Sequence, residues 1–568
     1  MDPCAMGSSN QLVLSIVGAG EDVEPKNDLG TPRSCQERER RKADITYGID
    51  DIPPWYLCIF MALQHYLTMI GAIVSIPFIL TPALCMKDDD PARSHIICTM
   101  IFVTGIVTWL QSTFGCRLPI VQGGTISFLV PTLAILNLPQ WRCPDSEVLE
   151  AMSHENRTEL WQIRMRELSG AIAVSAILQA TIGYLERKKE THSKTVFRLT
   201  SSIAFSTILL LTVFSQCLPE VPIPIPSYKR NQGFVIIWFH LFKLFPVLLT
   251  IMIMWGVCGL LTLSGTFPVG HPARTDVKLR IIHDSPWFRF PYPGQWGVPT
   301  VTAAGVLGML AGVLACTVES ISYYPTTARM CGAPPPPVHA INRGIATEGL
   351  GTILAGIWGS GNGTNTFGEN VGAIGVTKIG SRRVIQYAAF LMIIQGLISK
   401  FGAIFIIIPQ PVVGGMFCVM FGMIAAFGLS ALQYVDLNSA RNLYIIGFSI
   451  FFSLVLPKWM VSHPHVIQTG NETADSIITV LLSTSILVGG ILGCLCDNLI
   501  PGTAEERGLT AWHQQMKLEA EEGDTTSTYD FPVGMGLVRR CNFFSYLPFM
   551  PTYKPRNLKK CGAKKGHK

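Results

Sequence analysis

Two short segments far apart in the chain have related sequences, Gln122-Gly-Gly-Thr-Ile-Ser-Phe128 and Gly363-Thr-Asn-Thr-Phe367. Aligning Gly124-Thr-Ile-Ser-Phe128 with the second segment gives three identities and one Ser/Thr pair in five positions. Each segment places Gly, Thr and Ser inside an otherwise apolar run. Irregular backbone is tolerated at membrane depth only where protein or a water-filled cavity satisfies its polar groups. A matching pair of interrupted segments in two halves therefore predicts a binding site near the middle of the membrane.

Close packing of helices through small residues is an alternative explanation of these two segments. Asn362, Asn365 and Glu369 argue against it, because polar and charged side chains are costly on helices that face lipid. We therefore expect these residues to face a cavity.

The composition indicates a membrane protein. Of 568 residues, 49% are hydrophobic and 14% are charged, whereas soluble domains carry about a quarter charged residues. The net charge of +6 is spread over tails and loops, which does not indicate a nucleic-acid partner. The first fifty residues are polar, so the first apolar run is expected to be a membrane anchor rather than a cleaved leader.

Thirteen apolar runs approach the ~20 residues that a spanning helix needs. They lie near 55–80, 96–114, 118–138, 170–184, 203–218, 234–264, 298–318, 343–360, 361–380, 383–408, 411–433, 441–457 and 476–496. Basic clusters at 38–42 and 559–565 place both tails in the cytoplasm by the positive-inside rule. Two tails on one side require an even number of spans, and thirteen is odd.

The glycosylation sequons at Asn156 and Asn471 sharpen this conflict, because thirteen spans would put them on opposite faces. A third match, at Asn362, lies in a membrane run and is not expected to be glycosylated. Parity and sequons together indicate that one span is missing or miscounted. The charged segment 185–202, LERKKETHSKTVFRLTSS, lies between two short apolar runs and is where we place the missing span.

Most of the 16 cysteines lie in apolar runs, where a free Cys behaves as a small hydrophobic residue. No CxxC pair occurs, and Cys494 and Cys496 have no His partners, so no metal site is predicted. Cys85 and Cys143 fall in polar segments expected outside the cell. A disulfide between them and two free thiols both remain open.

Two acidic residues, Glu319 and Glu369, lie inside apolar segments with no adjacent basic partner. An ionisable group at membrane depth is costly and usually faces a cavity. Two carboxylates can accept hydrogen bonds from the ring N–H groups of a planar solute such as a nucleobase. Backbone N–H groups freed at the broken segments can donate to its carbonyl groups. No triad, P-loop or metal cluster is present, so the sequence does not predict an enzyme.

Two other ionisable residues have ordinary explanations. His65 is a lone histidine in the first run, and such a residue is more often a satisfied core residue than a functional one. Glu348, at the start of the run 343–360, can equally be an interfacial residue at a helix start.

The motif Glu369-Asn370-Val371-Gly372, followed by Thr377-Lys378, resembles the signature of the nucleobase–ascorbate transporters, also called nucleobase/cation symporter-2. Gln64-His65, the QGGTISF segment, Glu319-Ser320 and VVGGMFCVMFGM resemble its vertebrate sodium-dependent branch. The resemblance implies an all-α polytopic membrane protein with a uracil permease-like fold of two inverted seven-span repeats. It further implies core and gate domains, short strands in broken spans 3 and 10 with the substrate between them, and dimerisation through the gate.

The resemblance also assigns residues to roles. The substrate-binding residues that it implies are Glu319, Glu369, Gly368, Phe367, Ile126, Ser127 and Ala72. The motif and coupling residues are Asn370, Gly372, Thr377, His65, Gln64 and Tyr323. The ascorbate members have Pro where this chain has Glu369, which favours a nucleobase. Tyr323 departs from the family's usual ionisable residue, which leaves the coupling ion open between sodium, the first choice, and a proton.

The implied domains follow the spans. They are a cytoplasmic tail (1–50), the first half of the core with spans 1–4 (51–184), the charged segment in place of span 5 (185–202), the gate remnant with spans 6–7 and a loop (203–297), the second half of the core with spans 8–11 (298–410), the second half of the gate with spans 12–14 (411–500) and a cytoplasmic tail (501–568).

The sequence thus predicts a glycosylated, multi-pass plasma-membrane symporter that takes up nucleobases such as uracil or xanthine, forms a homodimer and needs no cofactor beyond a co-transported cation. A sodium-dependent ascorbate transporter is the first alternative. A transport-deficient splice form that acts through dimerisation is an alternative of another class.

Overall fold

The structure is a computed structural model. It describes residues 45, 47–87, 90–184, 202–218, 221–229, 233–239, 241–244, 246–268, 271, 273–276, 279–377, 379–416, 418–419, 422, 432, 435–463, 466–503, 505–507 and 528–552. The predicted loss of a span at 185–202 concerns residues that, except for Ser202, lie outside these ranges. The same holds for most of the N-terminal tail and for Lys378.

The first half of the chain is mainly helical. Its elements are α1 (Trp55–Ala83), α2 (Ala92–Thr113), β1 (Gln122–Gly124), α3 (Ile126–Leu136), α4 (Ser146–Ala151), α5 (His154–Tyr184), α6 (Ser202–Thr212) with a π-helical turn (Val213–Cys217), β2 (Ile223–Lys229), β3 (Gly233–Phe239), α7 (Leu241–Leu244), α8 (Pro246–Leu263) and α9 (Leu279–Asp284).

The second half is also mainly helical and contains one short strand among its described residues. Its elements are α10 (Ala303–Met330), α11 (Val338–Ile357), β4 (Thr364–Thr366), α12 (Gly368–Thr377), α13 (Arg382–Leu397), α14 (Ser399–Ile406), α15 (Gln410–Met416), α16 (Ala440–Ser462), α17 (Glu472–Ser483), α18 (Ser485–Leu499), α19 (Met535–Arg540) and a 3-10 turn (Asn542–Tyr546).

The two related sequence segments pair with each other. β1 and β4 form an antiparallel two-stranded sheet in which Gln122 lies opposite Thr366 and Gly124 lies opposite Thr364. A helix follows each strand directly, α3 after β1 and α12 after β4. The expected short strands of the two broken segments are therefore present. Both strands are fully buried, which explains how an irregular stretch is accommodated: the strands satisfy each other's backbone groups.

Glycines bring the long helices of the two halves together. A Cβ added to Gly349 of α11 would lie 2.3 Å from the backbone nitrogen of Ala180 in α5, and one added to Gly356 would lie 2.8 Å from that of Ala173. Such close backbone approach is typical of helix packing in membranes. It fixes α5 against α11 and positions the buried residues that both helices contribute.

Three predicted runs differ from the structure. The run 234–264 begins as a strand, because β3 pairs with β2 in a hairpin and helix α8 starts only at Pro246. The run 383–408 is interrupted at Ile398, between α13 and α14. The run 476–496 is two helices, α17 and α18, bent by 78°. The hairpin also departs from the expected fold, which placed strands only in the two broken segments.

Within the described ranges, three helices are long and apolar enough to cross a membrane, namely α2, α10 and α16, and the number reaches five if each of two bent helix pairs counts as one span.

The first described residues and the C-terminal segment pack together, since Ile49 and Tyr529 belong to the same buried cluster. Tyr47 forms a β-bridge with Ile379, and the hydroxyl group of Tyr529 donates to the carbonyl oxygen of Pro334 at 2.5 Å. Cys85, which precedes α2, and Cys143, which follows α3, form a disulfide. The structure therefore selects the disulfide from the two possibilities left open by the sequence. Residues Asn156 and Asn471 are exposed, whereas Asn362 is buried.

Candidate functional site

The candidate site lies where β1 and β4 meet and helices α3 and α12 begin. Thr125 caps α3 by accepting a hydrogen bond from the backbone N–H of Ser127 at 3.2 Å. Its own N–H donates to Asn362 Oδ1 at 2.8 Å, which ties the first segment to the second. The first N–H groups of a helix have no partner within the helix and carry partial positive charge. Two such helix starts beside one sheet can therefore donate to polar atoms of a solute.

Each segment supplies an aromatic ring that packs on a glycine of the other. A Cβ added to Gly363 would lie 2.3 Å from Cε2 of Phe128, and one added to Gly123 would lie 2.2 Å from Cε2 of Phe367. Neither glycine can carry a side chain unless a ring moves. The packing gives a physical reason for the two Phe residues and for Gly363 of the repeated motif, whereas its other glycine, Gly124, packs against Ile76 and Met100 instead.

Glu319, on α10, reaches the broken segments from one side. The side-chain amide of Asn365 donates to its Oε2, and the hydroxyl oxygens of Ser127 and Tyr323 each lie 3.5 Å from one of its carboxylate oxygens. Glu369 lies in the first turn of α12, directly after Gly368, which packs against the same Tyr323 hydroxyl group that contacts Glu319. In the part of the chain that the structure describes, no ion pair involves either carboxylate.

Tyr323 lies closer to the site than its sequence position suggests. The sequence places it one helical turn from Glu319, in a coupling role away from the substrate. In the structure, a Cβ added to Gly368 would lie 2.5 Å from the Tyr323 hydroxyl oxygen. The ring of Tyr323 therefore lies against the start of α12 and contacts Glu319 as well.

His65 contacts the signature motif. The side-chain amide of Asn370 donates to the carbonyl oxygen of His65 at 2.9 Å and lies 3.2 Å from its Nδ1. Gln64 is buried beside His65. The histidine that looked like an ordinary core residue thus connects α1 to α12.

The other expected site residues are less informative. Ile126 and Ser127 begin α3 and are half-buried, and Phe367 is buried. Gly372 is exposed, and a Cβ there would meet nothing within 4 Å, so the structure gives no steric reason for this motif glycine. Ala72 lies in α1 and Thr377 ends α12, with side chains outside the described set.

The structure decides between the two interpretations of Glu348 that the sequence left open. It is fully buried near the middle of α11, not interfacial at a helix start. Its carboxyl group contacts Ser320 Oγ at 2.6 Å, the Tyr324 hydroxyl at 3.2 Å and Gln179 Nε2 at 3.2 Å. The predicted apolar run 343–360 begins at Arg343, and this arginine is buried too. Its guanidinium group is accommodated there because it donates to the carbonyl oxygens of Gly115 and Tyr529.

The site therefore combines two neighbouring carboxylates, two helix starts and several hydroxyl and amide groups around a buried sheet. This arrangement can hold a small polar solute by hydrogen bonds, and it is the kind of interrupted-helix site that membrane carriers use.

Comparisons with known proteins agree with this class. The model of the Permease family (Xan_ur_permease) matches residues 57–190 and 233–462. The chain is 45% identical to solute carrier family 23 member 1 from Rattus norvegicus over 94% of each chain. It is 43% identical to member 2 from Mus musculus, over 95% of this chain and 88% of that one. It is 33% identical to nucleobase-ascorbate transporter 1 from Arabidopsis thaliana, over 87% and 96%.

The fold and the site define a polytopic membrane transporter rather than an enzyme. The chain belongs to the permease family that includes these solute carrier family 23 members and nucleobase–ascorbate transporters. The family match is interrupted between residues 190 and 233, a stretch that begins within the charged segment 185–202.

Proposed function

We propose that the chain is a secondary active transporter that carries neutral nucleobases, such as uracil or xanthine, through the site between β1 and β4. The observation that supports this most is the pair Glu319 and Glu369, which lie on either side of the Tyr323 hydroxyl group and form no ion pair within the described ranges. Ionised carboxylates accept strong hydrogen bonds from ring N–H groups. The base's carbonyl groups then receive hydrogen bonds from the N-terminal N–H groups of α3 and α12.

Ascorbate is the second candidate, and overall similarity favours it. The plant relative is named for both nucleobases and ascorbate, and the chain is more similar to the mammalian family 23 carriers than to that plant protein. The local chemistry favours a base. Ascorbate is an anion, and two carboxylates that form no ion pair within the described ranges repel an anion in a buried site, where charges are poorly screened.

Sodium is the proposed co-transported ion, with a proton as the second choice. The proposal rests on the resemblance of the QGGTISF segment and its neighbours to the vertebrate sodium-dependent branch. We also propose a plasma-membrane location, cytoplasmic termini and a homodimer through the gate domain. Tyr47 and Tyr529 lie in segments that pack together, which supports placing both termini on the same side of the membrane.

Competition uptake in a cell line that lacks base transport tests the proposal. Cells expressing the chain receive labelled uracil, xanthine or ascorbate, with and without sodium, and Glu319→Gln serves as the site-defective control. We expect sodium-dependent accumulation of a base above the level of Glu319→Gln, small beside that of a variant with an apolar span restored at 185–202, and not reduced by unlabelled ascorbate. Ascorbate accumulation without base uptake would establish the second candidate instead.

A further inference from the structure

A continuous chain of side chains connects Glu319 to the deeper carboxyl group of Glu348. Asn365 Nδ2 donates to Glu319 Oε2, and Asn365 Oδ1 lies 2.7 Å from Ser320 Oγ. Ser320 Oγ in turn lies 2.6 Å from Glu348 Oε2. Asn365, Ser320 and Glu348 are each buried to 98% or more. The chain therefore joins two carboxyl groups through contacts that water does not reach.

The number of hydrogens in this chain is limited. Ser320 has one hydroxyl proton, which can be donated either to Asn365 Oδ1 or to Glu348 Oε2 but not to both. If both glutamates were ionised, one of these two short oxygen–oxygen contacts would lack a hydrogen. Buried polar atoms at such distances are normally hydrogen-bonded, because an unsatisfied pair is costly.

We infer that Glu348 carries a proton whenever Glu319 is ionised, and that Asn365 and Ser320 make the ionisation of the two groups interdependent. Glu348 Oε2–H donates to Ser320 Oγ, whose own hydrogen goes to Asn365 Oδ1, which leaves Asn365 Nδ2 to donate to the Glu319 carboxylate. This inference rests on the proposed function for its consequence. The Glu319 carboxylate that accepts hydrogen bonds from a base stays ionised because the more deeply buried carboxyl group of Glu348 is neutral.

The opposite arrangement also satisfies every contact. If Glu348 is ionised, Ser320 donates to it, and the Asn365 amide turns over so that Nδ2 faces Ser320. Oδ1 then faces Glu319, which must be protonated to donate to it. A protonated Glu319 has lost its charge and half of its acceptor capacity.

Both arrangements hold the same single proton, so a change of pH does not convert one into the other. At alkaline pH that proton is lost and both carboxyl groups ionise, which leaves one of the two short contacts of Ser320 without a hydrogen and so releases Asn365 from its position on Glu319. The site that receives the base is then no longer held in place.

Among the residues that the structure describes, the groups around Glu348 do not supply a counter-charge. From α10 it faces Tyr324, Cys316 and Glu319, and from the loop after α2 it faces Cys116. From α5 it faces Gln179, which does not ionise. Arg343, on the same helix, donates to backbone carbonyl oxygens instead.

Two substitutions separate a neutral donor from a charged group. Glu348→Gln keeps an N–H donor toward Ser320 and cannot ionise, whereas Glu348→Ala removes the donor. We measure equilibrium binding of labelled xanthine to the purified full chain from neutral to alkaline pH. We expect Glu348→Gln to bind within about threefold of the wild type at neutral pH and to keep binding at alkaline pH, where the wild type loses it. Glu348→Ala and Ser320→Ala should weaken binding at least about tenfold, the effect of one strong hydrogen bond.

Glu167→Gln is the matched control, because Glu167 is an equally buried glutamate held by the hydroxyl groups of Thr300 and Thr302 away from the site. Its pH profile should follow that of the wild type. The inference would be overturned if Glu348→Gln bound xanthine as weakly as Glu348→Ala does. It would also be overturned if xanthine binding by Glu348→Gln declined at alkaline pH as it does in the wild type.

Infrared spectroscopy of the same proteins detects whether Glu348 is protonated when no nucleobase is bound. We expect the C=O band of a buried neutral carboxyl group in the wild type at neutral pH and its loss in Glu348→Gln, with no loss in Glu167→Gln. Absence of the band from the wild type, or its persistence in Glu348→Gln, would show that Glu348 is ionised. If no base binds but the band behaves as expected, the proposed function fails while the shared proton stands.

Discussion

Asn370 donates its side-chain amide to the backbone carbonyl oxygen of His65, at 2.9 Å, and so joins the signature motif of the second half to the first helix. Both residues are buried. Because Asn370 follows Glu369 directly, this hydrogen bond sets where the Glu369 carboxylate lies relative to α1.

Asn370→Ala should therefore weaken nucleobase binding, although Asn370 itself does not contact the nucleobase. The substitution removes the side-chain donor that the His65 carbonyl group has in addition to its helical partner, a loss of about 0.5–1.5 kcal/mol for one neutral hydrogen bond. Equilibrium binding and the apparent melting temperature are measured together. Asn442→Ala is the control, since Asn442 is a buried Asn that donates to the carbonyl oxygens of Asp436 and Glu506 outside the site. Equal loss of base binding in both variants would refute the positioning role.

Glu319→Gln should weaken base binding more than Tyr323→Phe. The first loses a charged acceptor, about 1.5–3 kcal/mol, and the second loses one neutral hydroxyl contact, about 0.5–1.5 kcal/mol. Tyr323→Asp instead adds a carboxylate beside Glu319 and should change the sodium or pH dependence of uptake. Equal losses of binding in the three variants, with unchanged ion dependence, would contradict this division.

Gly363→Ala should destabilise the site by overpacking. Its Cβ would lie 2.3 Å from the Phe128 ring, and forced repacking typically costs about 1–3 kcal/mol. Gly447→Ala is the matched control, because a Cβ there meets nothing within 4 Å. We expect a lower melting temperature and weaker binding for the first variant alone. Identical melting curves would show that the ring moves aside freely.

The segment 185–202 should not span the membrane. Its charged residues are Glu186, Arg187, Lys188, Lys189, Glu190, Lys194 and Arg198. A central Lys or Arg costs about 2.5–3.5 kcal/mol even on a lenient insertion scale. We expect this chain, expressed alone, to bind or transport far less than a variant with an apolar span restored there. Glycosylation at both Asn156 and Asn471, together with strong uptake by the unmodified chain, would disprove this.

Much of the site follows from the sequence because the signals were local. The match between Gly124–Phe128 and Gly363–Phe367 predicted two equivalent broken segments, and the structure pairs them as β1 and β4. Glu319 and Glu369 stood out because carboxylates are rare in apolar runs.

Other features were hidden because they depend on distant contacts. The sequence left open whether Glu348 is interfacial because it lies at the start of the run 343–360. Only the packing of the loop after α2 and of the Tyr529 segment shows that Arg343, where this run begins, is buried. The hairpin strand Gly233–Phe239 was assigned to a helix because a short, wholly apolar run has no periodicity to separate the two.

Equilibrium binding to the purified wild type and Glu369→Pro tests the central claim most directly. Glu369 is in the first turn of α12, where Pro is tolerated, so the variant should fold. Pro replaces a charged acceptor with a group that accepts nothing from a ring N–H, a loss of about 1.5–3 kcal/mol or roughly tenfold and more in affinity. We predict that labelled xanthine or uracil binds the wild type, is not displaced by ascorbate, and binds Glu369→Pro at least about tenfold more weakly. An unaltered dissociation constant in Glu369→Pro, or displacement of the base by ascorbate, would contradict the account.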